Sequence, residues 1–453
     1  MEPSTSHATA EPDWPLVSPD AAGLDIGASE IWACVPPGRA TPAVRAFATF
    51  TPDLEALADW LQACGVHTVA MESTGVYWVP VFELLEARGL EVYLVNAAHI
   101  KNVPGRKSDV QDCQWIQRLH SYGFLRASFR PEADMVVLRS YLRQRGMLIE
   151  HRAAHVQHMQ KALQLMNVQL ARVLSDITGS TGMQIIRAMV RGERDPKVLA
   201  SYRHGRCQHS AAEIAKALTG HYRAEHVFAL KQALALYDAY TEQLQACDAE
   251  IARQYAAIRP RFDPDDPDQP LGPDPKPETH SKNAPQGDIR RQLFQVLGVD
   301  LTAVAGVDEA TAQVLVSEIG TDMSNWRTEK HFCSWLGLAP HNDITGGRVV
   351  HSRTLPTHNR AAQVLRMAAQ SAGRGKSALG AFYRRLRARV GPEQATTATA
   401  HKIARIVYHM IKHRQPYRLV SAAEYDEQHH QRELKSLQRR AAKLGMVLAP
   451  SPA

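Results

Sequence analysis

The stretch AGLDIGASEIWACVPP, residues 22–37, sets a carboxylate inside an apolar run: Asp25 lies between Leu24 and Ile26 and is followed at once by Gly27. It reads as a strand and the start of a hairpin. A carboxylate in a buried strand is costly unless it is paired or bound to a metal. Outward from it, HTVAMES (67–73) reads as a second buried strand ending near Glu72, and LEVYLVN (90–96) as a third. Between them GVYWVPVFELLEARG (75–89) reads as a helix stopped by Gly89. Strands of this kind alternating with helical patterns predict an α/β domain with some parallel pairing.

Further carboxylates follow. In KSDVQDCQWIQRL (107–119), Asp109 and Asp112 stand three apart where a helix begins, so they share one face beside a helix N-terminus that favours negative charge. If the strands of Asp25 and Glu72 are neighbours, four oxygen-bearing groups converge on a hard-cation site suited to Mg²⁺ or Mn²⁺. Such ions align a nucleophile with a phosphodiester. Lys101, Arg106 and Lys107, just ahead of the helix, are candidate phosphate clamps. Taken singly, Asp109 reads as an N-cap, Asp112 as a surface residue and Glu72 as a satisfied strand end. Together, in this order and spacing, they point to a metal site. DIGAS also resembles the phosphate hairpin of actin-like sugar kinases, but those need a second Asp-Gly motif and a Gly-rich adenosine loop, and neither is found.

The 453 residues exceed one ordinary core, and 44% hydrophobic with 22% charged residues describes a globular chain. The absence of a long apolar run argues against a membrane span. Residues 1–20 are polar and Pro-rich, which predicts a disordered lead-in rather than a targeting peptide. Six cysteines without a CxxC pair suit a reducing cytoplasm. The net charge of +7 favours a polyanionic partner only weakly, although acids crowd into 263–278 and leave the remainder more basic. The α/β domain is placed at 21–130. A helical arm follows at 131–258, where two long amphipathic patterns predict an antiparallel coiled coil. A Pro/Asp-rich linker is placed at 259–288, a mostly α domain at 289–423 and a basic helical tail at 424–453.

LTAVAGVDEATAQVLVSEIG (301–320) reads as a helix-hairpin-helix-like element turning at Gly306, whose amides would meet DNA backbone. Then come WLGLAP (335–340), a Gly-Gly turn, a basic stretch, NRAAQVLRMAA (359–369) and TATAHKIARIVYHMI (397–411). With GLDIG, AMESTG and HIKNVPGRKSDVQD ahead of them, these motifs resemble, over nearly the whole chain, the DEDD-type insertion-sequence transposases, the bridge-RNA-guided recombinases.

That resemblance implies a RuvC-like, RNase H-like first domain with Asp25, Glu72, Asp109 and Asp112 as its acidic tetrad. It also implies donor and target DNA and a structured guide RNA as partners, and a homo-oligomer, dimer to tetramer. It further implies a hydroxyl nucleophile in the turn after WLGLAP, forming a covalent link to DNA. Where the family carries serine, this chain has Thr345. Its β-methyl restricts χ1 and crowds attack. Three readings follow: Thr345 acts itself, Ser352 replaces it, or strand exchange is lost. Activation would follow if metals of the first domain and this hydroxyl met at one phosphate. Arg348, Arg353 and Arg360 follow as candidate phosphate contacts. Two alternatives stand beside the recombinase: a nucleic-acid-binding homologue without strand exchange, and a metal-dependent junction nuclease. His204, Cys207 and His209 lack a fourth zinc ligand nearby. His151, His155 and His158 read as a polar helix face. No Gly-rich ATP loop occurs.

Overall fold

The computed structural model describes residues 15–73, 75–96, 108–267, 270–274, 282–354, 356–447 and 449. It divides into two compact units, Met1–Arg130 and Pro131–Ala453.

In the first unit, strands β1 (Ala21–Ile26), β2 (Glu30–Cys34) and β3 (Val44–Ala48) form an antiparallel meander. Helix α1 (Thr51–Ala63) leads to β4 (Thr68–Glu72), which pairs parallel with β1. Helix α2 (Trp78–Ala87) then leads to β5 (Glu91–Val95), parallel to β4. The strand order is β3-β2-β1-β4-β5, a mixed α/β sheet domain. Strand side chains alternate between faces. Leu24, Ile26, Val69 and Met71 therefore pack into one core with Leu57 and Leu61 of α1 and Val81 and Leu85 of α2. Helix α3 (Asp109–Ser121) covers the other face, where Ala70, Val95, Ile116 and Leu125 make a second core.

Gly23 sets how closely α3 approaches. A Cβ there would stand 2.2 Å from the Gln117 amide nitrogen and 2.5 Å from the Cys113 carbonyl oxygen, so the helix backbone rests directly on β1. Gln117 Nε2 donates to Ala21 O at 3.1 Å, and His120 Nε2 lies 2.8 Å from the Thr68 hydroxyl, pinning the helix to both central strands. Burial holds the His120 imidazole at a pKa of about 4, so it stays neutral.

The second unit begins with an antiparallel pair of long helices, α4 (Ala133–Leu165) and α5 (Ala224–Ala257). Between them, helices Leu170–Val173, Ser180–Arg191, Pro196–Ala200 and Ala211–Leu218 surround a core that includes Met159, Met166, Ile185 and Leu218. Midway along the pair, buried Arg145 donates to buried Asp248 at 2.5 Å. Arg145 also donates at 3.1 Å to the carbonyls of Asn283 and Ala284, within the Pro/Asp-rich stretch. Earlier in that stretch the carbonyls of Leu271, Gly272 and Pro273 are held by Arg290. Guanidinium groups thus pin the described part of 259–288, with Arg291 on Asp265 adding a further hold.

Beyond it lie α6 (Ile289–Leu297), a single 3-10 turn (Leu301–Ala303), α7 (Glu309–Ile319) and α8 (Glu329–Trp335). Glu132, ahead of α4, accepts from the Thr321 and Asp322 amides and so ties the base of the arm to the end of α7. A two-stranded hairpin, β6 (Pro340–Thr345) with β7 (Arg348–Thr354), precedes α9 (Arg360–Arg374), α10 (Ala378–Val390), α11 (Pro392–His413) and α12 (Ala422–Lys443).

Two variants test this packing. Gly23→Ala should lose about 2 kcal/mol or more in denaturant unfolding, because backbone faces the new methyl group. Arg145→Ala should lose about 3–5 kcal/mol by the same measurement, because Asp248 is left buried and uncompensated. Wild-type midpoints in both would contradict these contacts.

Candidate active site

Asp25 is the next residue after Leu24, which registers with Met71 of β4, and Glu72 follows Met71. The two carboxylates therefore stand side by side at the carboxyl ends of adjacent parallel strands, where open α/β sheets bind ligands. By alternation Asp25 shares the face of Gly23, which is the face under α3. Asp109 and Asp112 lie in the first turn of α3, and the N-cap Ser108 hydroxyl accepts from the Gln111 amide at 3.4 Å.

Burial pushes the half-buried Asp25 carboxyl up to about 6, and the charges of Asp109, Asp112 and Glu72 push it the same way. A backbone hydrogen bond at Ile26 opposes them in part. The structure thus brings all four acids into one electrostatic neighbourhood. Among the described residues no three His, Cys, Asp or Glu side chains form a ready metal-holding group. The acids make an open field of like charge rather than a closed cage. The all-oxygen donor set and the discomfort of Asp25 both fit a hard dication, which would relieve the repulsion. Trp32, the cross-strand partner of Asp25, has a buried indole nitrogen without a hydrogen-bond partner among the described residues. Lys101, Arg106 and Lys107 lie outside the described residues.

In the second unit Thr345 ends β6 and pairs across the turn with Arg348. The turn is Gly346–Gly347 with φ of 57° and 76°, the left-handed pair required by a tight type I′ connection. All of β6 is exposed, including Ile344, and on β7 so are Val349 and Val350. Ser352 pairs with Asn342 and Arg353 with His341, several rungs from the tip. Arg360 opens α9 and is exposed. The hairpin brings Arg348 to Thr345; Ser352 and Arg353 stand apart from it.

Gly306 differs from its expected setting. Only a 3-10 turn precedes it, and a Cβ there would lie 2.1 Å from the Ala368 carbonyl oxygen. Its backbone is packed on α9, which explains the glycine without a ligand. Sequence reasoning missed Gly23 and Trp32. Their signal is the two-residue alternation: both occupy the face of β1 and β2 that carries Asp25.

A transposase family model of the DEDD IS110 type matches residues 22–168, and the model described as Transposase IS116/IS110/IS902 family matches residues 300–384. The two span slightly more than half of the chain. The chain belongs to the IS110-type transposases. No curated protein matches it. The first match takes in the four acids and the second the Thr345 hairpin. The transposase is an enzyme acting on DNA, and among its described residues no helix is long and apolar enough to cross a membrane.

The raised Asp25 carboxyl makes the stability of the transposase pH-dependent. The folded chain keeps this proton to a higher pH than the unfolded chain, so stability falls as pH rises from about 4 to about 6. Asp25→Asn should remove that fall and raise stability at neutral pH by on the order of 2 kcal/mol in metal-free buffer. Unfolding curves across this range check it, and an unchanged pH profile would contradict the coupling.

Proposed function

We propose that this transposase is an RNA-guided recombinase of an insertion sequence that cuts and rejoins DNA through a covalent threonine link. The observation that carries the reading is Asp25, raised by burial and then by the neighbouring carboxylates of Asp109, Asp112 and Glu72. The strand order β3-β2-β1-β4-β5, with acids at the carboxyl end of the parallel part, supports an RNase H-like domain. Asp25, Glu72, Asp109 and Asp112 would hold Mg²⁺ or Mn²⁺, which when bound neutralises charge developing on the phosphate.

The chain's own residues do the rest. The Thr345 hydroxyl attacks phosphorus, forming an ester bond and losing its proton. The bond to the leaving strand breaks, and that strand departs with a protonated hydroxyl. Rejoining reverses the sequence with another strand end. Arg348, which registers with Thr345 on the hairpin, would pair with a phosphate oxygen. Arg353 and Arg360 extend the basic surface. The guide RNA and an oligomer of two to four copies rest on the family resemblance. Base pairing to the RNA would supply the sequence reading.

A plasmid assay of excision and integration tests this. Asp25→Ala and Thr345→Ala should each lower activity by about a hundredfold or more, while Thr345→Ser should retain it, because the hydroxyl remains and the crowding methyl is gone. A protein–DNA adduct should be trapped with Thr345 and absent in Thr345→Ala. Cleavage that survives Thr345→Ala without an adduct would instead assign a metal-dependent nuclease using water.

A further inference from the structure

A cleft lies along one side of α11. Lys402, Arg405, Ile406, His409 and Met410 fall at helical spacing on one face of α11, and with Pro416, Tyr417 and Arg418 they line a cleft of about 370 Å³. The wall is divided by chemistry. Lys402, Arg405 and Arg418 supply cations. Ile406, Met410, Pro416 and half-buried Tyr417 supply apolar and aromatic surface.

Charge in the cleft is unbalanced. Arg405 pairs with Glu329 at 3.3 Å, Arg385 with Asp426 at 2.6 Å, and Arg418 stands 3.7 Å from Glu424. Among the described residues Lys402 has no carboxylate partner and meets aromatic rings instead. Its ammonium lies 4.3 Å from the Phe382 ring centre and 4.8 Å from that of Tyr425. Burial and the charges of Arg432, Arg385 and Arg405 hold its pKa below the usual lysine range. A protein keeps such crowded cations where an anion comes to meet them. The cleft is far larger than a phosphate ion needs and lies within the range of small-ligand pockets. Duplex DNA keeps its bases stacked and cannot fill such a recess, whereas an unpaired nucleotide offers both a phosphate and a ring face.

We infer that this cleft binds one unpaired nucleotide of a nucleic-acid strand, with its phosphate on Lys402, Arg405 and Arg418 and its base against Tyr417 and Pro416. The inference rests on the polyanion partner of a transposase and not on the acidic site. Its test is therefore run without divalent metal and reads binding alone.

Full-length protein in EDTA is titrated with labelled single-stranded oligo-dT and oligo-U across a range of salt. Arg418→Gln, at a largely exposed side chain, and Lys402→Met should each weaken binding of at least one strand by about tenfold and flatten the salt dependence by about 0.7 in log–log slope. Tyr417→Ala should weaken it and Tyr417→Phe restore it, because the ring face remains. Thymidine 5′-monophosphate should compete where inorganic phosphate at the same concentration does not. Unchanged affinity and slope in Arg418→Gln would overturn the site. So would equal competition by inorganic phosphate, or identical loss in Tyr417→Ala and Tyr417→Phe.

Discussion

The acidic site depends on one close contact, that between the backbone of β1 at Gly23 and the backbone of α3 at Cys113 and Gln117. Without a side chain at Gly23, the helix comes down onto the strand, and its first turn arrives beside the strand ends. Asp25, two residues along the same face, then feels Asp109 and Asp112. The hydrogen bonds from Gln117 to Ala21 and between His120 and Thr68 hold the helix axially, so its first turn cannot slide along the sheet. A site built from one strand, its neighbour and one helix end is preorganised by backbone, with little left to side-chain freedom.

Much of this was legible in the chain. Asp25 between Leu24 and Ile26 announces a buried strand that tolerates a charge only for a purpose. The three-residue spacing of Asp109 and Asp112 places both in a helix start, and the helix begins there. The glycine of GLDIG was not legible as a packing residue, because its partner lies about ninety residues on and no local pattern reports it. The same holds for the Pro/Asp-rich stretch. Its composition argues against a core of its own, yet Arg145 and Arg290 seize its carbonyls from elsewhere in the chain. The turn at Gly306 was legible, but its close packing on α9 was not.

Cations divide the second unit by depth. Arg145 is sunk between the long helices with its acid and with backbone oxygens, where it holds the fold together. Arg143 grips Glu318 and joins the arm to α7. Nearer the surface, Lys402 meets ring faces and other cations instead of a carboxylate. The mild net charge of +7 does not tell cations that carboxylates neutralise from those, like Lys402, that sit against rings.

The Thr345 hairpin buries almost nothing: β6 is exposed along its length, and its short loop closes on two glycines. A two-stranded ribbon of this kind draws little stability from its own pairing. Residues at its tip are therefore nearly uncoupled from folding of the helices that carry it. Replacing Thr345 by another small polar residue should therefore leave the folding of those helices almost untouched.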